Sequence, residues 1–185
     1  MDKALIIGGS AGSFRTVVNI LHALRTPLPF PVFLCLHRLK NVRSGFVEAL
    51  SIQSSIPVKE PFDKETILPG IAYLAPANYH LLIENYQTIA LSTEPPVNHA
   101  RPSIDLAFLT AARAYRNHLI GVLLSGANQD GAYGMSKIKE LGGICIIQDP
   151  ASCEVKTMPE AALKLLNPDF VLSPEQIVNF LTNLT

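Results

Sequence analysis

Ser10, His37 and Asp130 are the residues whose types and surroundings could do chemistry. Ser10 lies in Ile6-Ile7-Gly8-Gly9-Ser10-Ala11-Gly12-Ser13, an apolar run that ends in glycines. A serine between glycines at the end of a strand can be lifted clear of the sheet with its hydroxyl bare, as a nucleophile requires. The same corner could instead hold a phosphate on the N-terminus of a following helix. His37 closes Phe33-Leu34-Cys35-Leu36-His37. An imidazole there could accept the proton of a hydroxyl that is inert at neutral pH, then return it to a leaving group. Asp130 closes Ser125-Gly126-Ala127-Asn128-Gln129-Asp130, just beyond another apolar run. A carboxylate in that place could hold the imidazole tautomer and stabilise the imidazolium. The oxyanion of an acyl-transfer intermediate needs main-chain N–H donors. Ala11, next to the serine at a helix start, is the natural first, and the Gly126-Ala127-Asn128 turn supplies the second.

The elements that must position these residues are legible as alternating strands and helices. Short apolar, β-branched runs at residues 4–7, 32–36, 57–59, 71–75, 119–124, 144–147 and 170–172 read as strands. Helical spacing or start signals mark 14–24, 45–50, 103–115, 132–141, 160–166 and 174–181, with Ser103 a candidate N-cap. Residues 81–83 and 88–91 flank a polar turn and read as an antiparallel hairpin. Repeated strand–helix units imply an α/β fold, a doubly wound, mostly parallel sheet with helices on both faces. Residues 1–185 show no linker, repeat or low-complexity tract and read as a single domain. In such sheets ligands bind beyond the carboxyl ends of the strands, where all three candidates fall.

Apolar residues make up 48% of the chain and charged residues 16%, which argues for a large core and against disorder. Lys plus Arg and Asp plus Glu balance at 15 each, so nothing favours nucleic acid or an anionic membrane as partner. No run approaches the roughly 18 apolar residues of a membrane helix, and no secretory signal opens the chain, so a cytoplasmic protein without membrane insertion is expected. Cys35, Cys145 and Cys153 have no ligand spacing and read as reduced thiols. No His or carboxylate pair has metal spacing, so neither metal nor cofactor is expected.

Other residues have competing readings. Cys35 could pair with His37 as a thiol nucleophile, although its place between Leu34 and Leu36 favours packing. His80 and His99 read as loop residues at the surface or substrate edge, while His22 and His118 carry no motif. Arg101 and Asp105 could meet an acidic substrate protein or pair with each other across one helical turn. Asp130 ahead of Gly131 could simply cap the next helix. Two rival functions stand beside a hydrolase. One is a nucleotide-binding module, in which Arg38 would suit a 2′-phosphate although the glycine spacing departs from G-x-G-x-x-G. The other is a catalytically silent signalling module.

At these same residues the chain resembles the catalytic domain of the CheB-type chemotaxis protein-glutamate methylesterases. The resemblance runs in order through Gly8-Gly9-Ser10-Ala11-Gly12, the strand-end His37, Tyr73-Leu74-Ala75-Pro76-Ala77-Asn78-Tyr79-His80, Arg101-Pro102-Ser103-Ile104-Asp105 and Leu124-Ser125-Gly126-Ala127-Asn128-Gln129-Asp130-Gly131-Ala132. It implies a three-layer α/β/α sandwich with an antiparallel hairpin, Ser10 as nucleophile, His37 as general base and Asp130 as the orienting acid. The implied reaction is hydrolysis of glutamate methyl esters on the cytoplasmic helices of methyl-accepting chemotaxis receptors, with release of methanol, and deamidation of certain receptor glutamines. Ser13 stands where the family usually has glycine, and Ala127-Asn128 where it has methionine and glycine, so the 126–128 turn is expected to differ in φ. With the first strand starting at residue 3 or 4, no receiver domain precedes it, and an esterase that is constitutively open or controlled by a separate regulatory partner is expected.

Overall fold

The computed structural model describes residues 3–37, 45–85 and 87–184. In chain order the elements are β1 (Ala4–Gly9), α1 (Phe14–Ala23), β2 (Val32–Leu36), α2 (Phe46–Ser51), β3 (Val58–Lys59), β4 (Ala72–Leu74), β5 (His80–Ile83), β6 (Ile89–Ser92), α3 (Ile104–Tyr115), β7 (Leu119–Leu123), α4 (Ala132–Glu140), β8 (Ile144–Gln148), α5 (Thr157–Leu165), β9 (Phe170–Leu172) and α6 (Pro174–Thr182). Seven strands form one sheet in the order β3-β4-β2-β1-β7-β8-β9, and every pairing in it is parallel. The hairpin β5-β6 is antiparallel and forms a separate two-stranded sheet. This is the expected three-layer, doubly wound α/β fold.

The pleat sorts each strand between two cores. Ala4 and Ile6 of β1, and Phe33 and Cys35 of β2, pack with Ile104, Phe108, Met135, Met158 and Ala162 from α3, α4 and α5. Leu5 and Ile7, with Val32, Leu34 and Leu36, pack on the opposite face with Val17 and Leu21 of α1 and Ile177 and Leu181 of α6. Strands covered on both faces read as unbroken apolar runs, which is why β1, β2 and β7 lack alternation in the sequence.

β1 runs two residues further than its apolar run, through Gly8 and Gly9. The reason is steric. A Cβ on Gly8 would stand 2.5 Å from Ile104 Cγ2 and 2.8 Å from Phe108 Cζ, so glycine lets the first turn of α3 lie directly on the strand. That close approach brings the N-terminus of α3 to the carboxyl ends of β1 and β2.

Candidate active site

Ser10 and His37 leave the sheet side by side. The β1-β2 register pairs Gly9 with Leu36, so one step further Ser10 stands opposite His37. His37 N–H donates to Gly9 O at 3.0 Å, and Ser10 N–H donates across β7's extension to Ser125 O at 2.9 Å. The pleat, continued from Gly8 and Cys35, assigns both residues to the α3 face.

Asp130 lies on that face, fully buried. His37 Nε2 and Asp130 Oδ2 are 2.8 Å apart. The carboxylate accepts from Ile104 N–H at 2.7 Å, Asp105 N–H at 3.1 Å and the Ser103 hydroxyl at 2.9 Å. Asn98 Nδ2 adds a longer contact at 3.3 Å. Burial pushes the Asp130 carboxyl up, but the hydrogen bond from His37 and those from the two α3 amides outweigh it and hold the group below the usual carboxylate range. A carboxylate acceptor at Nε2 makes that nitrogen the protonated one and leaves Nδ1 as the basic site, so the ring is turned relative to triads in which Nδ1 faces the acid. No hydrogen bond joins Ser10 Oγ to the ring, and apo sites often close that contact only with substrate bound.

The capping reading of Asp130 is corrected in an instructive way. Its own helix, α4, has Gly131 as its N-cap, and the Asp130 side chain makes no hydrogen bond to it. Asp130 instead caps α3, the helix that Gly8 admits. Of the two readings of Arg101 and Asp105, the pair across one helical turn is not made. Arg101 Nη1 donates to Thr93 O at 2.7 Å and Glu94 O at 3.1 Å, tying down the chain after β6. Asp105 Oδ1 accepts from Gly131 N–H at 2.9 Å and Gly134 N–H at 2.7 Å, so it caps α4. For Asp105 burial dominates and, helped by the neighbouring Asp130 charge, raises the carboxyl despite the hydrogen bonds it accepts from Gly134, Gly131 and Asn98.

His80 is also corrected. It opens β5 and is fully buried, not at a surface edge. Ser103 N–H donates to its Nδ1 at 3.1 Å, which makes Nε2 the donor to Pro95 O at 3.1 Å. His99 shares with Asn98 a left-handed turn, φ 62° and 50°, between the mutually hydrogen-bonded Val97 and Ala100. That turn carries the Asn98 amide to both carboxylates, 2.8 Å from Asp105 Oδ2. The sequence reading missed Asn98, and an Asx residue ahead of a helix-start Ser-x-Asp was the available signal.

Cys35 is buried, and burial followed by the charges of Asp130 and Asp105 pushes its thiol well up, which disqualifies it as a nucleophile. Burial also raises Cys145 to about 12 and Cys153 to about 11. Arg38 lies outside the described residues. Asn128, which stands where the family usually has glycine, does not adopt positive φ. Its Oδ1 accepts from Asp130 N–H at 3.1 Å. Among the described residues, neither Ala11 N–H nor Ala127 N–H has an intramolecular acceptor. No group of three His, Cys, Asp or Glu side chains among them could hold a metal ion, and none of their helices is long and apolar enough to cross a membrane.

Two cavities flank this rim. One of about 470 Å³ lies between α4 and α5 and reaches the carboxylate network through Asn98, Asp105 and Gln129, without contacting Ser10 or His37. Another of about 440 Å³ sits at the carboxyl ends of β3 and β4, lined by Glu60, Asn78, Tyr79 and Arg101 among others.

Comparison with known proteins identifies the family and agrees with the fold. The family described as CheB methylesterase matches residues 5–181. A Leptospira interrogans protein, provisionally named a protein-glutamate methylesterase/protein-glutamine glutaminase, is 41% identical over 182 residues, covering 98% of this chain and 94% of its own. "Protein-glutamate methylesterase/protein-glutamine glutaminase 4" of Geobacter metallireducens is 37% identical over 183 residues, and there the match covers 98% of this chain but 53% of the relative. The crystal structure of the Thermotoga maritima CheB methylesterase catalytic domain superposes with a TM-score of 0.93 at 30% identity, covering 100% of both chains. With fold, full-length sequence similarity and family match in agreement, this chain belongs to the CheB methylesterase family of carboxylic ester hydrolases.

Proposed function

We propose that the chain is a protein-glutamate methylesterase that hydrolyses glutamate γ-methyl esters on the cytoplasmic helices of chemotaxis receptors and deamidates receptor glutamines, through Ser10, His37 and Asp130. The observation that carries this is the 2.8 Å His37–Asp130 contact with Ser10 in the register position beside the imidazole. Ser10 Oγ attacks the ester carbonyl while His37 Nδ1 takes its proton. Asp130 holds the Nε2–H and stabilises the imidazolium, already ionised because α3 and His37 support its charge. The oxyanion is met by the N–H groups of Ala11 and Ala127. Collapse passes the proton from Nδ1 to the leaving group, the methoxy oxygen of an ester or the nitrogen of an amide, releasing methanol or ammonia. Water then enters by the same general base, freeing a glutamate carboxylate and restoring Ser10. Every proton moved belongs to Ser10, His37 or water, so the cycle calls for no metal or cofactor.

In this reading residues 1–185 act as a single methylesterase domain in the cytoplasm, where receptor signalling helices are found. The test is methanol release from methylated receptor fragments. Ser10→Ala is expected to lose on the order of 10³-fold or more in rate with its melting temperature unchanged, because the hydroxyl enters the covalent step. Retention of the wild-type rate would remove the nucleophile and the reading with it.

A further inference from the structure

The corner after β1 is held by two serine hydroxyls outside the triad. Ser10 C=O accepts from Ser13 Oγ at 2.7 Å and from Ser13 N–H at 3.1 Å. Ser13 is buried and occupies the N-cap position of α1, yet makes no side-chain cap hydrogen bond. Its hydroxyl is turned back onto the peptide that joins Ser10 to Ala11. On the far side of Ala11, the buried Ser125 Oγ lies 2.7 Å from Ala11 C=O and 2.9 Å from Val155 C=O, and it accepts from Val155 N–H at 3.0 Å. With its one hydrogen given to the nearer acceptor, Ala11 C=O, Ser125 holds the Ala11–Gly12 plane as Ser13 holds the Ser10–Ala11 plane. In a trans peptide the N–H points opposite to the C=O. Anchoring Ser10 C=O against α1 turns Ala11 N–H outward, and anchoring Ala11 C=O on Ser125 turns Gly12 N–H away from the sheet's β7 side.

Glycine is what makes room for this clamp. A Cβ on Gly9 would stand 2.7 Å from Ser13 Cβ and Oγ, and one on Gly12, at φ 80°, 2.8 Å from Ser125 Oγ. The glycines of the corner are thus shaped around the two hydroxyls. Ala11 is an exposed residue, and its N–H, with no acceptor among the described residues, is left as a donor beside Ser10.

We infer that Ser13 is a positioning residue that preorganises the Ala11 N–H as an oxyanion donor by fixing the Ser10–Ala11 peptide plane, with Ser125 bracing the neighbouring Ala11–Gly12 plane. Donors fixed before reaction cost no reorganisation when charge develops, so the clamp acts on the transition state more than on substrate binding. A donor whose own carbonyl is engaged is also polarised toward stronger donation. The inference rests on the proposed esterase reading, with Ser10 as its nucleophile.

The test uses a peptide carrying a glutamate γ-methyl ester, with active sites titrated by a fluorophosphonate so that rates are per competent Ser10. Ser13→Ala keeps the main-chain hydrogen bond from residue 13 to Ser10 C=O and is expected to fold. Its kcat should fall roughly 5- to 20-fold with KM within about two-fold, since part of one oxyanion donor's contribution is lost. Ser125→Ala, which frees the neighbouring peptide plane and not the one bearing Ala11 N–H, should fall less. For both, affinity for a peptidyl boronic acid, whose adduct with Ser10 carries the oxyanion mimic, should drop by the same factor as kcat/KM. A purely structural role would lower the titrated fraction and leave the rate per site and the boronate affinity unchanged. Unchanged values in Ser13→Ala would overturn the clamp, whatever Ser125→Ala does. Full turnover by Ser10→Ala in the same assay would instead overturn the esterase reading, so the two failures are distinct.

Discussion

Asp105 and Asp130 cap each other's helices. Asp130, one residue before the α4 N-cap Gly131, accepts from the Ile104 and Asp105 amides that open α3. Asp105, inside the first turn of α3, accepts from the Gly131 and Gly134 amides that open α4. Asn98 Nδ2 bridges the two carboxylates at 2.8 and 3.3 Å. Each charge meets the positive end of a helix dipole and unsatisfied first-turn N–H groups. The arrangement fixes the acid behind His37 on two helices, so the proposed proton relay is as rigid as the packing of α3 on α4.

Removing Asp105 should loosen that packing without touching the reacting groups. Asp105→Ala leaves the Gly131 and Gly134 amides without their acceptor, at a cost of about 2–4 kcal/mol. That corresponds to a fall of roughly 5–10 °C in Tm, read by thermal melts. Asp105→Asn retains one acceptor oxygen and should lose much less. Because the folded-state Asp105 carboxyl is raised, its linked stability is present below the unfolded pKa and is lost as pH rises through the folded value. Melts of Asp105→Asn against wild type should therefore shift in favour of the variant from pH 4 to pH 7. A shift in the opposite direction would show that Asp105 is held ionised.

Asp130 has the opposite sign. Its folded carboxyl is lowered, so its contribution is present above the unfolded pKa and is lost as pH falls through the folded value. The stability gap between wild type and Asp130→Asn should be widest at neutral pH and close below the ordinary carboxylate range. The same substitution should lower methyl ester turnover by about 10²- to 10⁴-fold, since the amide both weakens support for the imidazolium and permits the wrong tautomer. Turnover within a few-fold of wild type would separate Asp130 from catalysis and leave it a helix cap.

Cys35 should be chemically silent. It is buried and its thiol is pushed up by desolvation and by the two carboxylates. Peptide mapping after iodoacetamide treatment of the native protein should find no label at Cys35 and preferential label at the half-buried Cys153. Cys35→Ala should keep turnover per titrated site within about two-fold while costing roughly 1 kcal/mol for the vacated volume. Loss of turnover per site on this change would reopen the thiol as nucleophile.

The local pattern of the chain determined a good deal. Apolar runs and helix signals placed the strands and helices near their observed bounds, because buried parallel strands and amphipathic helices write themselves in residue type over short windows. The strand-end rule also marked Ser10, His37 and Asp130 as neighbours before any coordinate, since parallel strands all deliver their ends to one rim. What tertiary structure alone decided is which polar group meets which. His80 read as a loop histidine and is a buried hydrogen-bond hub; Arg101 and Asp105, open in the sequence between pairing and contact with a substrate protein, serve a separate loop and helix. A carboxylate's partner is chosen by which helix ends come within about 3 Å, and that follows from how α3 lies on the glycines of β1 and packs against α4. The Asp130 carboxylate meets Asp105 N–H 25 positions away and His37 93 positions away, beyond the reach of any local pattern.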